Sequence, residues 1–76
     1  MITLDLIEKN QRGRIIAIDT DLLPLKLIEM GCLPGNIVEL FQVAPFHDPI
    51  YLNINDSFVA IRKETASLIL IDIINE

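Results

Sequence analysis

Leu27-Ile28-Glu29-Met30-Gly31-Cys32-Leu33-Pro34-Gly35-Asn36-Ile37-Val38-Glu39 holds a helix end, a tight reversal and a strand start. Leu23, Leu27 and Met30 recur at i, i+4 and i+7, one apolar face of a helix. Gly31 follows at once, where a residue in the left-handed conformation closes a helix. Pro34-Gly35 is a turn signal: proline fixes φ at the first corner and glycine accepts positive φ at the second. Ile37-Val38-Glu39-Leu40-Phe41 is then rich in the β-branched and aromatic types that suit a pleated surface. The chain before this stretch delivers a helix, and the chain after it builds a sheet against that helix.

Upstream, Thr20 or Asp21 can cap the helix. Pro24 is tolerated in the first turn, where its missing N–H has no partner to lose. Together they predict a helix over residues 22–30. Residues 14–18 form a strand, preceded by a polar turn over 9–13. Residues 4–7 fit either a short strand or a single helical turn.

Downstream, residues 37–44 form a strand that ends at Pro45. Residues 44–49 are a loop, because two prolines deny ladder hydrogen bonds. Residues 50–55 alternate, with Ile50, Leu52 and Ile54 on one face. Asn55-Asp56 is a tight hairpin turn, since both residues accept positive φ. Residues 57–62 return with Val59 and Ile61 inward. After a polar step over 63–66, about one helical turn, residues 67–74 form the last strand. About five strands, with one short helix between the first two, predict a mainly β, small, strongly bent antiparallel barrel. Such a barrel fills its interior with side chains and has no room for a buried cofactor. Any ligand is then expected outside, at loops or in a groove.

The totals set bounds. Seventy-six residues with 51% hydrophobic content predict a single domain, residues 1–76, with a substantial core and a small stability margin. The lone Cys32 leaves no intrachain disulfide and fits a reducing compartment. Asp5 and Glu8 stand where a secretory leader would be basic and then apolar. The apolar runs are far shorter than the roughly 20 residues of a membrane span. A net charge of -5 repels phosphate backbones and anionic lipid, so neither nucleic acid nor membrane is an expected partner. The basic residues Arg62, Lys63, Arg12 and Arg14 are expected in surface pairs with Glu64 or Asp72, the alternative being that they steer an acidic partner.

His47 and Asp48, adjacent in the proline-bounded loop, are candidate ligands for a divalent transition metal. A closed site needs about four ligands, so Tyr51, Cys32 or Glu29 would have to join them. The alternative is a solvated loop. Cys32 is either a reactive thiolate or a small buried hydrophobe, and the lack of a CxxC or a histidine near it in sequence favours burial. Leu33, Pro34, Phe46, Pro49 and Tyr51 are either plugs at the barrel ends or an exposed contact patch for a protein partner. Without tryptophan, a polyproline-reading groove is not expected. No nucleophile–base pair or phosphate-cradling loop is present, so the chain does not read as an enzyme.

Leu27-x-Glu29-Met30-Gly31-x-Leu33-Pro34-Gly35-x-x-Val38 resembles the signature of the FeoA family. So do Ala44-Pro45-Phe46-x-Asp48-Pro49-Ile50 and Ala60-Ile61-Arg62-Lys63-Glu64-x-Ala66-x-x-Ile69. The blocks align without insertion across nearly the whole chain. The resemblance implies an SH3-like barrel and a cytoplasmic accessory of bacterial ferrous iron uptake. The implied partner is the cytoplasmic, GTP-hydrolysing part of the FeoB transporter. A metal-binding iron sensor using the His47-Asp48 loop is the alternative, and a detached regulator domain of a metal-dependent repressor ranks last. Several positions depart from the pattern. His47 replaces a glycine, Asn55-Asp56 a glycine-containing turn, Lys9-Asn10 a Pro-Gly and Thr65 an acidic residue. Exposed strand edges also leave room for self-association.

Overall fold

The computed structural model describes residues 1–75. Six strands form one antiparallel sheet: β1 (Ile2–Thr3), β2 (Arg12–Ile18), β3 (Ile37–Val43), β4 (Ile50–Ile54), β5 (Ser57–Ile61) and β6 (Ile69–Ile74). Their order is β1-β6-β2-β3-β4-β5. Helix α1 (Leu25–Glu29) connects β2 to β3, and the one-turn helix α2 (Lys63–Ala66) connects β5 to β6. Strand β2 pairs with β6 along its length but with β3 only over Arg12–Arg14, so the sheet folds over at β2 into two halves. Extra residues bend the strands: the register slips at Ile16 in β2 and at Phe41 in β3. A bulge of this kind kinks its strand and sharpens its twist.

The alternation read in the sequence carries the core. Ile50, Leu52 and Ile54 point inward from β4, and Val59 and Ile61 from β5. Val38, Leu40, Ile15, Ile69 and Ile71 complete the layer from the other strands. Apart from Cys32, the largest fully buried side chains among the described residues are all aliphatic, and no aromatic residue is among them. Asn55 and Asp56 take φ of 50° and 67°, the left-handed pair that a two-residue hairpin turn requires.

The Leu27–Glu39 stretch behaves as its residues dictate. The Gly31 N–H donates to the Ile28 carbonyl, and the Cys32 N–H to the Leu27 carbonyl. With Gly31 at φ 109°, these bonds make a Schellman closure. The Asn36 N–H then donates to the Leu33 carbonyl across Pro34-Gly35. Arg14 Nη1 donates to the Gly35 carbonyl at 3.0 Å, which fixes the turn to β2.

Some boundaries differ from the expectation. The helix begins at Leu25, not Leu22, because Pro24 is itself outside the helix, at φ -55° and ψ 134° in the N-cap position. The cap falls to neither Thr20 nor Asp21. Asp19 Oδ1 accepts the Asp21 and Leu22 N–H groups, making a separate turn ahead of the proline. Residues 4–6 form a 3₁₀ turn, and a two-residue β1 precedes it, so α1 lies between the second and third strands. Residues 12 and 13, read as turn, belong to β2. Phe46 and His47 lie in a short 3₁₀ segment inside the 44–49 loop, both at positive φ.

Candidate protein-contact surface

All four aromatic residues lie outside the core. Phe46 is 97% exposed, Phe58 68%, Phe41 57% and Tyr51 39%. Three of them gather on the outer face of the β3–β4–β5 half-sheet. Strand alternation sends Tyr51 and Phe58 outward from β4 and β5, opposite the buried Leu52 and Val59. In β3 the same alternation turns Phe41 out after the buried Val38 and Leu40, and the bulge keeps Gln42 exposed as well. Leu40 stays paired with Leu52, Gln42 pairs with Tyr51, and Phe41 is the inserted residue turned out between them. The rings of Phe41 and Phe58 meet edge to face. Together with Tyr51, Pro45, Ala44 and Ala60 they line a groove of about 410 Å³. An apolar, aromatic concavity without a titratable group beyond the Tyr51 hydroxyl is suited to a protein side chain or backbone.

The structure divides the contact residues read from the sequence. Tyr51 is on this face. Phe46 projects from the loop after β3, beside Pro45, while Pro49 is half-buried. Leu33 and Pro34 are exposed at the opposite end of β3. At about 3.3 Å per residue the seven-residue strand separates the two groups by roughly 20 Å. Phe41 and Phe58, which the sequence reading passed over, form the centre. The signal for Phe58 is its place between the inward Val59 and Ile61 and the hairpin turn. The signal for Phe41 is its outward place after the inward Val38 and Leu40, while Gln42, which strict alternation would bury, marks the register slip.

His47 is exposed, and its backbone sits at φ 68°. Asp48 is already engaged. Its Oδ1 accepts the Lys63 N–H at the start of α2 at 2.9 Å, and Oδ2 stands 3.8 Å from Arg62 Nη1. Arg62 thus pairs with Asp48 instead of Glu64 or Asp72, because the loop folds back onto the helix start. Asp72 faces the Met1 amino group at 3.7 Å. Among the described residues, no three His, Cys, Asp or Glu side chains gather as a metal cluster. Cys32 is fully buried, and that burial raises its thiol pKa from 9.0 to about 11. Among the described residues, no helix is long and apolar enough to cross a membrane.

A bent six-stranded sheet around an aliphatic core, with its aromatic residues outside, defines a small SH3-like barrel. The FeoA domain family matches residues 2–73, and the chain belongs to that family, which is associated with ferrous iron transport. A FeoA-like protein of Clostridium acetobutylicum is 28% identical with a TM-score of 0.88, over 99% of this chain and 88% of that one. FeoA of Stenotrophomonas maltophilia, solved with zinc and described as a prokaryotic SH3 domain protein, shares the fold. It has a TM-score of 0.81 at 18% identity, over 95% of this chain and 91% of that one. A Porphyromonas gingivalis Fe(2+) transport protein A/Fe(2+) transporter FeoB fusion protein is 36% identical over 50 residues, 66% of this chain. That alignment spans 6% of the fusion protein's length.

Proposed function

We propose that this chain is a cytoplasmic accessory module of ferrous iron uptake. It docks on the cytoplasmic part of a FeoB-type transporter through the Phe41–Tyr51–Phe58 face. The observation that carries this reading is the placement of every aromatic residue outside an otherwise aliphatic core. Aromatic side chains supply the largest apolar area per residue, and leaving them in water is unfavourable unless something covers them. The relative that joins a FeoA sequence to FeoB in one chain supports the choice of partner. Tethering holds two weakly binding modules at high effective concentration.

In this reading the barrel does no chemistry. It presents a rigid apolar face, and its effect on the transporter comes from the contact. Retention of the transporter's cytoplasmic part on immobilised barrel tests it. Retention is expected, and no binding at concentrations of about tens of micromolar, with folded protein, contradicts it.

A further inference from the structure

Strand β5 ends the sheet, with β4 as its one sheet neighbour among the described residues. The two-residue Asn55-Asp56 turn makes Ile54 and Ser57 a hydrogen-bonded pair. Alternation then directs the backbone groups of Ser57, Val59 and Ile61 to β4, and those of Phe58 and Ala60 to the open edge. Edge strands are ordinarily protected by lysine, proline or a bulge. Ser57-Phe58-Val59-Ala60-Ile61 carries no charge or proline, and its pairing with β4 runs without a register shift.

We infer that two copies of this chain pair antiparallel along β5, about a two-fold axis at Val59. This needs no second protein species and is independent of the transporter reading. In this register Phe58 of one copy opposes Ala60 of the other, a large side chain beside a small one. Each of these two pairs exchanges both N–H···O bonds, using the groups that face the open edge. One step further out, Ser57 opposes Ile61, and beyond that Asp56 opposes Arg62 at both ends of the interface. Both end residues are exposed, and Arg62 is held by Asp48 only at 3.8 Å. Centring the axis on Phe58 or on Ala60 keeps the edge-facing bonds but stacks like on like and loses the charge match. The Val59 register satisfies size and charge together.

The pair makes one continuous sheet, β3-β4-β5 of each copy, with both outer faces on the same side. The aromatic surface is doubled, not covered. A five-residue edge buries well below the roughly 1,200 Å² of a stable interface, so the dimer is weak.

Sedimentation equilibrium from about 10 µM to about 1 mM covers the range in which a weak dimer forms. The weight-average mass should rise from 8.6 kDa towards twice that value. The Phe58 and Ala60 amide protons should gain exchange protection in step with it. Ala60→Pro removes an edge-facing N–H where proline is tolerated, and should weaken the dimer at least tenfold. Arg62→Asp sets like charges opposite Asp56 and should weaken it several-fold. A mass fixed at 8.6 kDa across the range overturns the proposal. So does a dimer that neither variant weakens, or one that leaves the Phe58 and Ala60 amides unprotected.

Discussion

The edge of one ring meets the face of another between Phe41 and Phe58, centroids 5.7 Å apart and planes at 72°, on the outside of the barrel. The contact crosses from β3 to β5 over the intervening β4, and it exists because alternation after the buried Val38 and Leu40 leaves Phe41 outward. An aromatic pair of this geometry contributes about 0.5–1.5 kcal/mol. Phe41→Ser should therefore cost only about 1 kcal/mol of stability, read as a small drop in urea midpoint. A loss of several kcal/mol would mean that Phe41 belongs to the core.

Gly31 tests the helix closure. At φ 109° an alanine is strained, and its Cβ would stand 3.2 Å from Asn55 Cβ. Gly31→Ala should destabilise by about 1–2 kcal/mol, from left-handed backbone strain on a non-glycine residue. An unchanged midpoint in denaturant would contradict the Schellman closure as a determinant of the fold.

His47 separates backbone from metal. An exposed site away from special features tolerates substitution within about 0.5 kcal/mol. At φ 68°, however, a β-branched residue is strained. His47→Val should lower stability by about 1–2 kcal/mol, while His47→Gly should not lower it. Calorimetry with ferrous iron in the absence of oxygen should give the same heats for wild type and His47→Gly. A binding heat lost on that substitution would assign the imidazole a metal.

Cys32 predicts a pH dependence with a definite sign. Its thiol pKa is about 11 in the fold, against 9.0 when free, because burial penalises the thiolate. The unfolded chain therefore releases this proton first as pH rises. Its contribution to stability is complete below about pH 9 and is lost as pH climbs through about 11. Denaturation at pH 7 and pH 10 should show a drop that Cys32→Ala reduces. An equal drop in both proteins would remove Cys32 as the cause.

The parts of the fold read correctly are those set by short-range rules. Ile50, Leu52 and Ile54 alternate without interruption, Asn55-Asp56 tolerates the hairpin geometry, and Gly31 and Pro34-Gly35 each have one conformational use. The helix start was missed because two local rules compete there. Pro24 is compatible with a first turn, but the Asp19 turn over residues 19–22 closes ahead of it and Pro24 stands extended as the N-cap. The contact face was only partly legible. Loop residues such as Leu33 and Phe46 draw attention by composition, whereas Phe41 and Phe58 lie within strands, where only the alternation of their neighbours marks them as outward. Asp48 shows the limit most clearly. Its acceptance of the Lys63 N–H joins residues fifteen positions apart, and nothing local to either end announces it.

The central claim is that the outer β3–β5 face is the contact surface, and titration of the transporter's cytoplasmic part against wild type and Phe41→Ser tests it most directly. Phe41 lies on the face and away from the β5 edge, so the result is separate from self-pairing. Binding at concentrations of about tens of micromolar or below, weakened at least tenfold by Phe41→Ser with the fold intact, is the predicted result. Equal affinity for the two proteins would contradict it.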